Sequence, residues 1–165
     1  MKNNKKNIFL FVVFAVATAL IFFNRHSTQA QIDAADNLQL SVTVNGKESL
    51  YSYNENHQEY TSFDTQMKRK NGDVFDKNYS GMPLSVILDD MDIEITDNIT
   101  ISVVCADQYE IRLTASEVLE DGNIWLVTKE NGENLAEADG HFMMVVNNDE
   151  FSTRWAKSVV RVKIN

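Results

Sequence analysis

The sequence predicts an α+β domain built mostly on antiparallel β-sheet, and three observations carry that prediction. Short alternations of apolar and polar residues recur along the 165-residue chain, the pattern of half-buried strands. Asn45-Gly46, Asn71-Gly72 and Asn131-Gly132 punctuate them, and Asn-Gly is the strongest short hairpin signal. Only two stretches have a helical signature, and both are short.

Taken in order, Leu38, Leu40, Val42 and Val44 share one face of a strand that ends at Asn45-Gly46. Its hairpin partner runs through Leu50, Tyr51 and Tyr53. Asn54 to Tyr60 is polar and is expected to form one helical turn. Thr61 to Lys68 alternates through Phe63, Thr65 and Met67. The turn at Asn71-Gly72 then leads to Val74, Phe75 and Tyr79. Gly81-Met82-Pro83-Leu84 reads as a turn with Pro83 at the helix start, where its missing N–H costs nothing. Leu84, Ile87, Leu88 and Met91 follow at the spacing of a core-facing helical stripe. Asp89, Asp90 and Asp92 sit at the negative end of that helix dipole, so helical preference did not select them.

Ile99, Ile101, Val103 and Cys105 form the inward face of the next strand, and Tyr109, Ile111 and Leu113 continue beyond a corner at Asp107-Gln108. Thr114-Ala115-Ser116-Glu117 is a capping-box pattern opening a short helix, with Gly122 expected to close it. Ile124 to Lys129 is a strand, Phe142 to Val146 a strand apolar on both faces, and Val159 to Ile164 the last strand.

The front of the chain differs in kind. Lys2, Lys5 and Lys6 precede an apolar run from Ile8 to Phe23, and Thr28-Gln29-Ala30 gives a small-residue exit. That order is the order of a secretory signal. The run is short against the roughly 20 apolar residues of a spanning helix, but tilt or thinning lets it span. Cleavage after Ala30 and retention as an anchor therefore both stay open. The expected layout is residues 1–30 as signal peptide or N-terminal membrane anchor, 31–37 as tether and 38–165 as the domain. In both cases the domain is extracytoplasmic, secreted or anchored to the cell membrane by residues 8–23. No cysteine directly follows the apolar run, which excludes a bacterial lipoprotein anchor.

Lys2, Lys5, Lys6 and Arg25 are the only charged residues before Gln31, so removing these four cations from the chain's −9 leaves −13 on residues 31–165. Such a surface repels phosphate backbones and excludes nucleic acid as a partner. It also disfavours anionic lipid heads, so membrane contact is expected only through the N-terminal segment. Cys105 is the only cysteine, so no internal disulfide forms and the fold rests on its core.

Gly81-Met82-Pro83-Leu84 with its helix, the strand into Asp107-Gln108-Tyr109, the Asn131-Gly132 turn, Gly140 before an apolar strand, and Trp155-Ala156-Lys157 before the last strand come in an order that has a precedent. From Leu38 to Asn165 the chain resembles the molybdopterin-binding oxidoreductase domain of the sulfite oxidase type. The resemblance implies that fold and, in family enzymes, molybdenum held by a cysteine thiolate upstream of Gly-x-Pro-Leu. Here that stretch, Tyr60 to Met67, has no cysteine, and Cys105 lies downstream of it. A methionine stands where the family's Arg-Leu-Val-Val carries its arginine, in His141-Phe142-Met143-Met144-Val145-Val146. Gln108 replaces the corner glycine. An anionic pyrophosphate wants Arg or Lys donors. The expectation is therefore a kept scaffold without molybdenum, acting as a binding or accessory module for an unidentified small ligand or extracytoplasmic protein. No cofactor is expected; molybdopterin in a genuine oxidoreductase or redox partner component, and haem, are the alternatives.

Candidate sites follow from residue chemistry. His141 and Met143 supply imidazole and thioether, a ligand set for copper or haem iron, against the simpler reading of core methionines beside an edge histidine. Tyr109 and Trp155, with Tyr51, Tyr53 and Trp125, could line a persisting cleft that holds an apolar or cationic ligand. In strand phase Cys105 is a buried small hydrophobe rather than a reactive thiol. Asp90, Asp92 and Glu94 begin like a calcium loop, but Ile95 and Ile101 stand at its sixth and twelfth positions, so a solvated acidic corner is expected. Asn147 to Glu150 reads as a turn, and no catalytic triad or phosphate loop is present.

Overall fold

The structure is a computed structural model that describes residues 38–165; the expected signal or anchor and the tether lie outside the described residues. No described helix is long and apolar enough to cross a membrane. Two five-stranded sheets hold the domain together. The first uses β1 (Gln39–Val44), β2 (Lys47–Ser52), β5 (Thr100–Cys105), β6 (Glu110–Thr114) and β10 (Val159–Ile164) in the order β2-β1-β10-β5-β6. The second runs β3 (Thr61–Lys68), β4 (Val74–Pro83), β7 (Ile124–Glu130) and β8 (Glu133–Asn134), with β9 (Met143–Val146) also paired to β7. All the strand pairs are antiparallel except β1 with β10, where Val42 lies opposite Val162. The α+β expectation and the strand positions agree with this architecture.

Local chemistry explains the corners. Asn45 (φ 49°) with Gly46 (φ 81°) and Asn131 (φ 54°) with Gly132 (φ 81°) place both central residues at positive φ, as a type I′ hairpin requires. Helix α1 (Leu84–Asp90) begins after Pro83 and buries Leu84, Ile87 and Leu88. Helix α2 (Ala115–Leu119) opens with the full capping box: Glu117 N–H donates to the Thr114 hydroxyl, and Thr114 N–H donates to the Glu117 carboxylate at 2.8 Å.

Three local expectations are corrected. Asn54 to Tyr60 forms successive turns, not a helical turn, because Asn54 Oδ1 and His57 Nδ1 accept the N–H groups of Asn56 and Glu59 and compete with helical bonding. Gly81-Met82-Pro83 is the end of β4 rather than a turn, paired to Val127, Leu126 and Trp125. Glycine is required there by close approach: a Cβ on Gly81 would lie 2.3 Å from the Leu126 carbonyl oxygen and 2.7 Å from Val127 Cα. Glu120, in extended conformation, ends α2, and Gly122 (φ 68°) belongs to the following turn.

The core sits on both faces of the second sheet. In β7, Ile124 and Leu126 alternate with Trp125 and Val127, and all four are buried. Trp125 and Val127 join Tyr79, Met143 and Val145 in one cluster, over which Phe63, Leu135 and Trp155 pack. Thr128 is the extra residue where β7 bulges against β4, since Ser80 pairs with Lys129 and Gly81 with Val127. That bulge turns a threonine hydroxyl into the polar cluster described next.

Candidate functional site

Two groups of side chains flank β7. The first is aromatic and thioether in character. Phe63 from β3 stacks on Trp125 with ring centroids 4.3 Å apart and planes 28° apart. Tyr79 stands edge-on to Trp155 at 5.9 Å, and Trp155 Nε1–H donates to the Val146 carbonyl at 2.8 Å. Burial pushes the Tyr79 hydroxyl well above its ordinary pKa, with the Glu130 charge adding to the shift. Met143 and Met144 are both buried, at 4% and 1% exposure. Thr65, two residues beyond Phe63 on β3, donates its hydroxyl to Asn147 Oδ1 at 2.8 Å. The inward face of β3 is therefore Phe63, Thr65 and Met67, without a thiol.

The cations near this cluster are committed to carboxylates. Arg154 forks onto Asp149 through Nε and Nη2, and Nη2 also reaches Glu117 Oε1 at 2.7 Å. Lys77 meets Glu130 at 2.5 Å, and Lys157 meets the largely buried Asp139 at 2.5 Å. The hydrogen bonds from Asp149 first, and from Glu117, raise the Arg154 pKa further. The acidic turn at Asn147–Glu150 is thus an anchor: Asn147 Nδ2 donates to the Gly122 carbonyl, and Asn123 Oδ1 accepts from Asn148 N–H.

The second group fastens the β2–β3 loop. Thr128 donates to Glu55 Oε1 and Lys129 Nζ to Glu55 Oε2, both at 2.6 Å. Because the Thr128 proton is so used, the Tyr60 hydroxyl is the donor across its 3.0 Å contact with Thr128. Lys129 Nζ also lies 5.9 Å from the centre of the Tyr60 ring. Tyr53 is buried against Phe142 at 5.2 Å, and its hydroxyl donates to the Leu126 carbonyl at 2.8 Å. Tyr51 donates to Asp90 Oδ2 at 2.5 Å. His57 Nδ1 accepts the Glu59 N–H, so the neutral ring carries its proton on Nε2, 3.6 Å from Asp90 Oδ1. Asp90 is therefore a partnered carboxylate, not simply part of a solvated corner.

His141 precedes β9 and is exposed, whereas Met143 is buried in the aromatic cluster, so imidazole and thioether occupy different environments. Among the described residues no group of three or more His, Cys, Asp or Glu side chains is arranged to hold a metal. Tyr109 is 52% exposed at the β5–β6 corner, where Gln108 takes φ 70°, while Trp155 belongs to the cluster on β7. Cys105 is buried; desolvation, then the Asp107 charge, raises its thiol pKa. Sequence reasoning named Trp125 and Trp155 but missed Phe63 and Tyr79 as their partners. The alternation through Thr61–Lys68 already placed Phe63 on the inward face. Nothing local linked Glu55 with Lys129.

A family model for the oxidoreductase molybdopterin binding domain matches residues 26–165. Among solved structures, the crystal structure of the sulfane dehydrogenase SoxCD from Paracoccus pantotrophus aligns with a TM-score of 0.63. The alignment has 18% identity and covers 76% of this chain and 37% of that one, so the likeness establishes the fold and the chain spans little more than a third of that structure. No curated protein matches the chain.

Proposed function

Because the chain belongs to the oxidoreductase molybdopterin binding domain family, we propose that it is an exported member working without molybdenum, as a binding or accessory module for a small ligand or an extracytoplasmic protein. The observation that carries this reading is the inward face of β3. Phe63, stacked on Trp125, with Thr65, tied to Asn147, and Met67 occupy the strand where family enzymes present their thiolate. The residues present do not fit the cofactor. Arg154, Lys77 and Lys157, near the cluster, are bound to carboxylates of the same chain, and a buried methionine replaces the family's arginine. An anionic pyrophosphate would have to break those pairs to gain a charged donor. Export is supported by the basic, apolar and small-residue order of residues 1–30, with the domain either released or held at the membrane by residues 8–23.

Elemental analysis of protein purified from its own host tests the reading. Molybdenum far below one atom per chain is the expected result. Stoichiometric molybdenum, with pterin fluorescence released on denaturation, would overturn it and establish an oxidoreductase that holds its cofactor without the thiolate.

A further inference from the structure

Two surfaces of this domain complement each other in charge and in apolar character, and neither is covered by the described residues of its own copy. The first is the end of the β3–β4 ribbon. β4 leaves β7 at Tyr79, and every residue from Lys68 to Asp76 is exposed. At its base the Lys68 N–H donates to Ser152 Oγ at 2.9 Å, which fixes the ribbon end against the segment before β10. Lys68, Arg69 and Lys70 are consecutive there; Arg69 lies 4.0 Å from Asp73, whereas Lys68 and Lys70 make no ion pair among the described residues. The Arg69 guanidinium lies over the Phe75 ring, 4.9 Å from its centre. Phe75 and Val74 are 40% and 53% exposed.

The second surface is a groove of about 400 Å³ between α1, the loop after it and Leu119 of α2. Val86, Ile93, Ile95 and the 55%-exposed Leu119 form its apolar lining, and Asp89 and Glu94 are its acids. Neither acid is ion-paired among the described residues. Asp92 and Asp97 are exposed nearby in sequence and extend the negative field.

We propose that the two surfaces bind each other between copies of this chain. The tip of one domain seats Val74 and Phe75 in the groove of the next, with Lys68 and Lys70 facing Asp89 and Glu94. A second copy is favoured because its groove matches the tip in both properties, with an apolar lining for Val74 and Phe75 and unpaired carboxylates for Lys68 and Lys70. The contact joins two different patches, so it is heterologous and leaves a free tip and a free groove at the ends of each assembly.

The test is sedimentation of the full chain in density-matched non-ionic detergent, at low and high salt. Mass that rises with concentration at low salt and falls at high salt is expected. Reversing the tip (Lys68→Glu, Arg69→Glu, Lys70→Glu) or the groove (Asp89→Lys, Glu94→Lys) should each weaken association at least about tenfold. All five positions are exposed, and an unchanged thermal transition verifies folding. Mixing the two variants should restore association, since one keeps an intact groove and the other an intact tip, and the reversed tip and reversed groove also have opposite charges. Wild-type chain that stays monomeric at low salt, association untouched by either reversal, or a mixture that fails to pair would each overturn the proposal. So would tip-dependent flotation with phosphatidylserine vesicles over phosphatidylcholine ones, which would assign the tip to lipid.

Discussion

Glu55 lies on the loop between β2 and β3, and its carboxylate is held by two donors from β7. Desolvation pushes its pKa up, but the hydrogen bonds from Lys129 and Thr128 and the Lys129 charge outweigh it, leaving the group below its ordinary 4.5. A carboxyl with a depressed folded pKa stabilises the fold above its unfolded pKa and loses that contribution as pH falls through the folded value. Glu55 therefore contributes at neutral pH, and the contribution fades as pH falls below about 4.5. Glu55→Gln should lower stability at pH 7 and flatten the decline in acid, followed as urea midpoints across a pH series. An acid decline as steep as that of the wild type would show that the pair does not fasten the loop. The histidine on the same loop illustrates why such roles escape a linear reading: His57 meets Asp90 across 33 residues, and neither residue type in isolation announces the other.

At the scale of elements, β4 and β7 approach closely enough that Gly81 has no room for a side chain. The atoms a Cβ would meet are backbone, so relief requires the strands to separate. Gly81→Ala is expected to cost about 2–3 kcal/mol, seen as a lower urea midpoint with an unchanged m-value. Elements whose causes are local were legible in the sequence. The Asn-Gly turns, the Thr114 capping box and the Leu84-Ile87-Leu88 stripe each act within a few residues. What was not legible depends on pairing at a distance. Gly81-Met82-Pro83 looked like a turn because glycine and proline usually mark one, yet here glycine answers strand approach and proline ends a strand at a helix start. The Thr128 bulge, which aims a hydroxyl at Glu55, arises from register between β4 and β7 and leaves no mark in composition. Likewise the aromatic residues were visible individually, but the Phe63–Trp125 stack requires β3 and β7, on opposite edges of β4, to present those two rings on one face of the sheet.

For the molecule as a whole, the decisive pairing is β1 with β10. β10 lies at the centre of the first sheet, with the β1–β2 hairpin on one side and β5–β6 on the other. Removing Val159–Ile164 would strip both hairpins of their shared neighbour and expose Leu40, Val42, Ile101 and Val103, all buried in the intact domain. A chain lacking that strand should show no cooperative unfolding transition and no near-ultraviolet dichroism; a transition like that of the intact chain would contradict this. The same placement governs timing. During synthesis β1 and β2 emerge first, yet the sheet they belong to has no middle until β10 is free. Until β10 is available the first sheet is therefore two separate hairpins with no strand between them. The domain can lock only when β10 inserts between the two hairpins, so commitment to the native state waits on the strand most distant in sequence from β1.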